Sequence, residues 1–202
     1  MSTNKLSKSI FSTKQLVLIA ILGSLATILM VFRFPLPFSP SFMDLDLADV
    51  PVLIGGFAYG PLAGALIAVL KNVIKLITQG TSTSFIGELS NIIVTTSFVV
   101  TSATIYKSNR TLKGARLALI SGVLVMTTIA TLSNAFLIFP LFERIAKFPI
   151  SRILAITMNT NSLVTSYWTM MIFAVVPFNL IKGGLNALLT AILYKYISSY
   201  LK

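Results

Sequence analysis

The sequence predicts an all-α integral membrane protein, a single domain over residues 1–202 with six transmembrane helices, and three observations carry that prediction. Hydrophobic residues make up 55% of the chain and charged ones 10%, with a mean hydropathy of +0.90, too apolar for a water-soluble domain of this length. Several uncharged stretches approach the roughly 20 residues a helix needs to cross about 30 Å of hydrocarbon. The apolar runs are also continuous rather than alternating with period two, which excludes a membrane barrel.

Residues 14–32 form the first predicted helix. Lys5, Lys8 and Lys14 lie before its apolar core and no small-residue cleavage site follows, so it reads as a retained span rather than a signal peptide. An outer gate loop, 33–47, leads to a short second helix, 48–59, and then a third, 61–77. The break between them is Tyr59-Gly60-Pro61, a helix-ending Gly followed by a Pro suited to a first helical turn. The fourth and fifth helices are expected at 85–106 and 115–139. Pro177 divides the remaining apolar region, giving a sixth helix at 177–198 with the Pro in its first turn. The long outer connection this leaves, 140–176, carries Trp168, the only Trp, in an interfacial or re-entrant element. A single kinked helix from about Ser166 onward is the alternative reading.

Charge selects six crossings over five, because Lys and Arg of short loops collect on the cytoplasmic side. Six crossings with both termini cytoplasmic place Lys5, Lys8, Lys14, Lys107, Arg110, Lys113, Arg116, Lys195 and Lys202 inside. The five acids, Asp44, Asp46, Asp49, Glu88 and Glu143, then all lie outside. Five crossings would put the strongest basic loop on the wrong side.

The chain has no Cys and no His, which removes disulfides, thiolate metal sites and imidazole bases, so neither a catalytic residue nor a metal ligand is expected. The net charge of +11 sits in the joints between apolar runs and forms no stripe with interleaved aromatics, so it reports topology and not nucleic-acid binding. Nor is there a phosphate-cradling loop of the Gly-Lys-Ser/Thr kind, or a file of membrane carboxylates to couple protons.

Polar side chains inside hydrocarbon are costly and mark sites. Here they gather at one depth, near the outer ends of the later helices: Glu88 and Asn91 on the fourth, Asn134 on the fifth, Asn179 and Lys182 on the sixth. In "PFNLIKGG" Asn179 and Lys182 share a helical face, offering an amide beside a cation, while Gly183 and Gly184 allow close approach. The plainer reading has Lys182 snorkelling to the headgroups and Asn179 capping its helix; Asn134 equally suits a helix end. Lys71 and Lys75 are read as interfacial anchors, and Asp49 as the cap of the second helix, with Asp44 and Asp46 solvated and touching no ligand. Gly56, Gly60 and Gly64 repeat every four residues, a spacing that lets helix backbones touch in lipid.

The run "DLDLADVPVLIGGFAYGPLAGALIAVLKNVIK", then "GTSTSFIGELSN" and "PFNLIKGG", resembles the substrate-binding S components of energy-coupling factor (ECF) vitamin transporters, of their riboflavin-specific type, over nearly the whole chain. The resemblance implies a six-helix bundle in the bacterial, mostly Gram-positive, cell membrane. It would capture riboflavin as transported ligand, with no cofactor of its own, and pass it to a coupling membrane subunit powered by two cytoplasmic ATPases. It places the flavin under the stretch 38–49 and assigns Asn179, Lys182 and Asn134 to the ring's polar edge. Phe38, Phe42, Leu47, Tyr167 and Trp168 would stack or close, beside Glu88 and Asn91. The family docks its coupling subunit through an Ala-x-x-x-Ala lane on the first helix. Here the equivalents are Ala20 with Ser24, or Gly23 with Thr27. An S component for flavin mononucleotide, thiamine or pantothenate is the alternative.

Overall fold

The computed structural model describes residues 10–40 and 43–197; Lys5, Lys8, Phe42 and Lys202 lie outside them. It is helical apart from one two-residue antiparallel pairing, β1 (Phe34–Pro35) with β2 (Asp44–Leu45). Among the described residues five helices are long and apolar enough to cross a membrane. These are α1 (Thr13–Val31), α3 (Pro61–Gln79), α4 (Ile86–Ser108), α5 (Leu112–Arg144) and α7. The last begins as Tyr167–Met170 and runs on through Met171–Val175 into Val176–Ile197. Two helices of 11 residues, α2 (Asp49–Tyr59) and α6 (Ile150–Thr160), complete the set.

Local chemistry sets the starts and stops. Ser12 and Gln15 form a capping box at the start of α1, and Ser166 and Thr169 form another at the start of α7. Gly60 takes φ 96°, which a residue with a Cβ adopts poorly, and so ends α2; Pro61 then opens α3 at the position where its missing N–H costs nothing. Asp49 is not the cap of α2: it occupies the first turn, after Ala48, whose side chain has nothing to offer the free amides.

Beyond residue 139 the chain departs from the first reading, and its last helix follows the alternative of a single helix from about Ser166 onward. The fifth helix continues to Arg144, and the sixth starts at Tyr167 instead of 177, so Trp168 lies in the first turn of α7 and not on a separate interfacial element. Both extensions contain a π turn followed by a proline: Asn134–Ile138 before Pro140, and Met171–Val175 before Pro177. A proline inside a helix deprives an upstream carbonyl of its partner. In each case a side chain from elsewhere replaces the missing donor. Tyr167 Oη donates to the Ala135 carbonyl (2.6 Å), and Asn161 Nδ2 donates to the Phe173 carbonyl (2.9 Å). With those carbonyls satisfied the helix runs on through Pro177.

The bundle is assembled around α4, which packs between α3 and α5, while α7 leans on α5 and α2, and α1 on α2 and α3. Gly56 and Gly64 let α2 and α3 touch: a Cβ on Gly64 would stand 3.1 Å from the Gly56 Cα and collide with Val99. Gly64→Leu is therefore expected to destabilise the protein by about 1–3 kcal/mol through overpacking. A clear drop in the midpoint of thermal unfolding in detergent would register it; an unchanged midpoint would mean that these helices part freely.

On α1 the two lanes behave differently. Gly23 packs on Leu70, and Thr27 Oγ1 donates to the Gly23 and Lys71 carbonyls (2.9 and 3.1 Å), so this pair is spent inside the bundle. Ala20 and Ser24 face outward, flanked by exposed Val17, Ile21, Leu25 and Ile28. Alternating helix directions put Asp44–Asp49 and the ends of α3 and α5 at one end of the bundle, called upper here. The α2–α3 and α4–α5 turns lie at the lower end.

Candidate functional site

A cavity opens at the upper end between α4, α5 and α7, roofed by Met43 and Asp44. Asn91, Asn134, Asn179 and Lys182 all line it, so four of the five polar groups that stood at one depth along the sequence meet at one place. Val94, Ile138, Phe142 and Phe178 supply apolar wall, and Ser90 and Thr95 add hydroxyls.

The amides are held by their own helices. Asn134 Nδ2 donates to the Ala130 carbonyl (2.7 Å) and Asn179 Nδ2 to the Val175 carbonyl (2.8 Å), each one turn back. Because an acceptor fixes the nitrogen side, the carbonyl oxygens are turned away from the backbone, and no hydrogen bond among the described residues uses them. Asn91 is set the opposite way, its Oδ1 accepting from Asn72 Nδ2 (3.2 Å) and Thr95 Oγ1 (3.4 Å), which leaves its amino group as donor. The cavity thus offers acceptors on one side and donors on another. That suits a planar molecule with a mixed polar edge.

Lys182 is only 6% exposed, and its ammonium donates to Asp46 Oδ2 at 2.8 Å. Asp46 makes two further bonds: its other oxygen accepts from its neighbour's amide at Ala48 (3.0 Å), and its backbone carbonyl accepts from Asn186 Nδ2 (2.9 Å). Lys182 and Asn186 are one turn apart on α7, so the loop before α2 is latched to α7 by two adjacent side chains. Asn186 was legible as the next residue on the Asn179–Lys182 face, yet only the structure supplies its partner.

Below and beside the cavity lie further charge pairs, and they correct the expected roles of several residues. Lys71, fully buried, is ion-paired with Asp49 and bonded to Thr95, which in turn donates to the same carboxylate at 2.8 Å. Lys75 is ion-paired with Glu88 and also donates to the Gly80 carbonyl (3.0 Å). Neither lysine is an interfacial anchor, because each has a carboxylate within the bundle and no need to reach the headgroups. Asp46 and Asp49 are likewise buried and paired rather than solvated, and Asp44 meets Arg33 at 3.4 Å on the rim. Glu88 is held by Lys75, Thr81 and Thr83 and lines a small adjoining cavity, so it supports the site from behind.

Besides Glu88, four expected residues do not line the main cavity. Phe38 borders a separate surface crevice with Asn161 and Phe173. Trp168 is 57% exposed and rests on Tyr167 and Phe136, and Tyr167 is occupied with Ala135. Leu47 is half-buried in the latched loop. Phe142 and Phe178, which do line the cavity, carry no signal in the sequence beyond lying near its polar residues.

A family model described as "ECF transporter, substrate-specific component" matches residues 14–194. The chain is similar to "Riboflavin transporter RibU" of Staphylococcus aureus, 30% identical over 94% of this chain and 93% of that protein. It is 32% identical to "Riboflavin transporter FmnP" of Bacillus subtilis over 84% of each. A RibU of Lactococcus lactis subsp. cremoris is 35% identical over 87% of this chain and 89% of its own length. A solved structure described as "Structure and mechanism of the S component of a bacterial ECF transporter" superposes with a TM-score of 0.72 at 29% identity, covering 94% of this chain and 98% of the other.

Proposed function

This chain belongs to the family of ECF transporter substrate-specific components, transporter subunits rather than enzymes, and on that premise we propose that it captures riboflavin for uptake. What supports riboflavin is the cavity: Asn134, Asn179, Asn91 and Lys182, drawn from three helices, face one space between apolar walls. The isoalloxazine ring is flat, uncharged and edged with carbonyls and an N–H, so it pairs with amide acceptors and with donors held at fixed positions. The similarity to relatives named riboflavin transporters points the same way.

In this reading the upper end faces outside and the lower end the cytoplasm, with six crossings. The basic turn of Lys107, Arg110, Lys113 and Arg116 at the lower end agrees with the cytoplasmic preference of Lys and Arg. The ATP-hydrolysing pair and the coupling membrane subunit are separate chains, and the outward lane of Ala20 and Ser24 is where the coupling subunit docks. The protein is a multi-pass component of the cell membrane.

The test is a titration of detergent-purified protein with riboflavin, read by quenching of flavin fluorescence. Saturable quenching at one ligand per chain is expected. Asn179→Ala is expected to weaken binding by about 10-fold or more, since a committed polar group loses its partner. Absence of quenching, with saturable binding of thiamine or pantothenate instead, would transfer the site to another vitamin.

A further inference from the structure

A second opening lies at the lower end, unrelated to the cavity above. Phe57, Tyr106 and Tyr194 form an aromatic cluster, Phe57 stacked on Tyr106 at 4.4 Å between ring centroids and edge-on to Tyr194 at 5.3 Å. Around its mouth stand Arg110, Arg116 and Lys195, all exposed. None of the five acids of the chain is among the lining residues. The opening holds about 690 Å³, which a free phosphate would leave largely empty.

The mouth also continues. Arg116 and Leu188 border both it and an almost wholly apolar furrow of about 390 Å³ between α5 and α7. Leu119, Ile120, Val123 and Leu124 form one wall of the furrow and Gly184, Ala187 and Leu188 the other. At Gly184 a Cβ would meet nothing within 4 Å, so the glycine leaves a real depression in the α7 surface. A cluster of cations opening onto a hydrocarbon-lined channel, on a surface turned to lipid, is complementary to a molecule with an anionic head and an apolar tail.

We propose that Arg110, Arg116 and Lys195 hold the phosphate of one anionic phospholipid whose acyl chain lies in the α5–α7 furrow over Gly184. The site is distinct from the coupling lane, because α1 packs on α2 and α3 whereas the furrow is made by α5 and α7. It does not depend on what the upper cavity binds. Basic pockets between membrane helices select lipids by headgroup charge, each cation contributing about fivefold in affinity.

The experiment is native mass spectrometry of the full chain in neutral detergent. It is titrated with palmitoyl-oleoyl phosphatidylglycerol, with phosphatidylcholine of the same chains, and with inorganic phosphate. A one-to-one phosphatidylglycerol adduct is expected to outlast the phosphatidylcholine adduct at equal concentration and to withstand excess phosphate. The double variant Arg110→Gln/Arg116→Gln is expected to lose about 30-fold in phosphatidylglycerol affinity. Gly184→Leu, which fills the furrow and leaves every charge in place, is expected to lose about 10-fold. Thermal unfolding of each variant, unchanged, shows that the fold persists. Equal retention of the two lipids overturns the proposal, as does displacement by inorganic phosphate. Insensitivity to Gly184→Leu removes the acyl-chain assignment and with it the lipid as occupant.

Discussion

Lys71→Ala is expected to abolish accumulation of folded protein. The side chain is fully buried, and its ammonium is the counter-ion of Asp49, a carboxylate that is itself without exposure and has no other cation bonded to it among the described residues. Removing one partner of such a pair strands the other charge in a low dielectric, at a cost of about 3–5 kcal/mol. That is a large share of the roughly 5–15 kcal/mol that holds a folded domain together. Removing both charges should do far less harm, because apolar side chains of similar volume restore packing without leaving an orphan. The double variant Asp49→Leu/Lys71→Met is therefore expected to express and to unfold within a few degrees of the parent, as read by size-exclusion recovery after heating. If Lys71→Ala alone behaves like the parent, the pair is hydrated in solution and the bundle does not close around it.

Lys182 is expected to have the largest effect on ligand capture. It lines the cavity and also holds Asp46, so its loss removes the proposed ligand contact and loosens the loop above the cavity together. Truncating one member of a buried, hydrogen-bonded charge pair costs about 2–5 kcal/mol, and Lys182→Met is accordingly expected to weaken riboflavin binding at least ~30-fold. Asp46→Asn separates the two roles, since it leaves the lysine in place and weakens the latch. Its expected signature is a smaller loss of affinity, carried by faster dissociation in a stopped-flow chase. The opposite pattern, with Asp46→Asn severe and Lys182→Met mild, would reduce Lys182 to a fastener of the loop.

Much of the architecture was legible because membrane helices announce themselves by length and apolar continuity, and the Tyr59-Gly60-Pro61 break carries both the stop and the start in three residues. The convergence of Asn91, Asn134, Asn179 and Lys182 was legible for a related reason: polar residues in such segments are few, and helix periodicity fixes which of them share a level. Pairing was not legible. Asp46 and Lys182 are 136 positions apart, and Asp49 and Lys71 face each other across two helices, so loop hydration and headgroup anchoring were the cheaper local explanations for each residue alone. Pro177 misled for a similar reason. A proline reads as a helix start until Asn161, far from it in the chain's local pattern, is seen to supply the missing donor.

The arithmetic of the latched end has a consequence for selectivity. Every cation bordering the two adjoining cavities, Arg33, Lys75 and Lys182, already answers a carboxylate, so the chamber is electrically balanced before any guest arrives. An uncharged guest enters without disturbing that balance. A phosphorylated one must share a cation with the carboxylate that already holds it, a competition its neutral cousin does not enter.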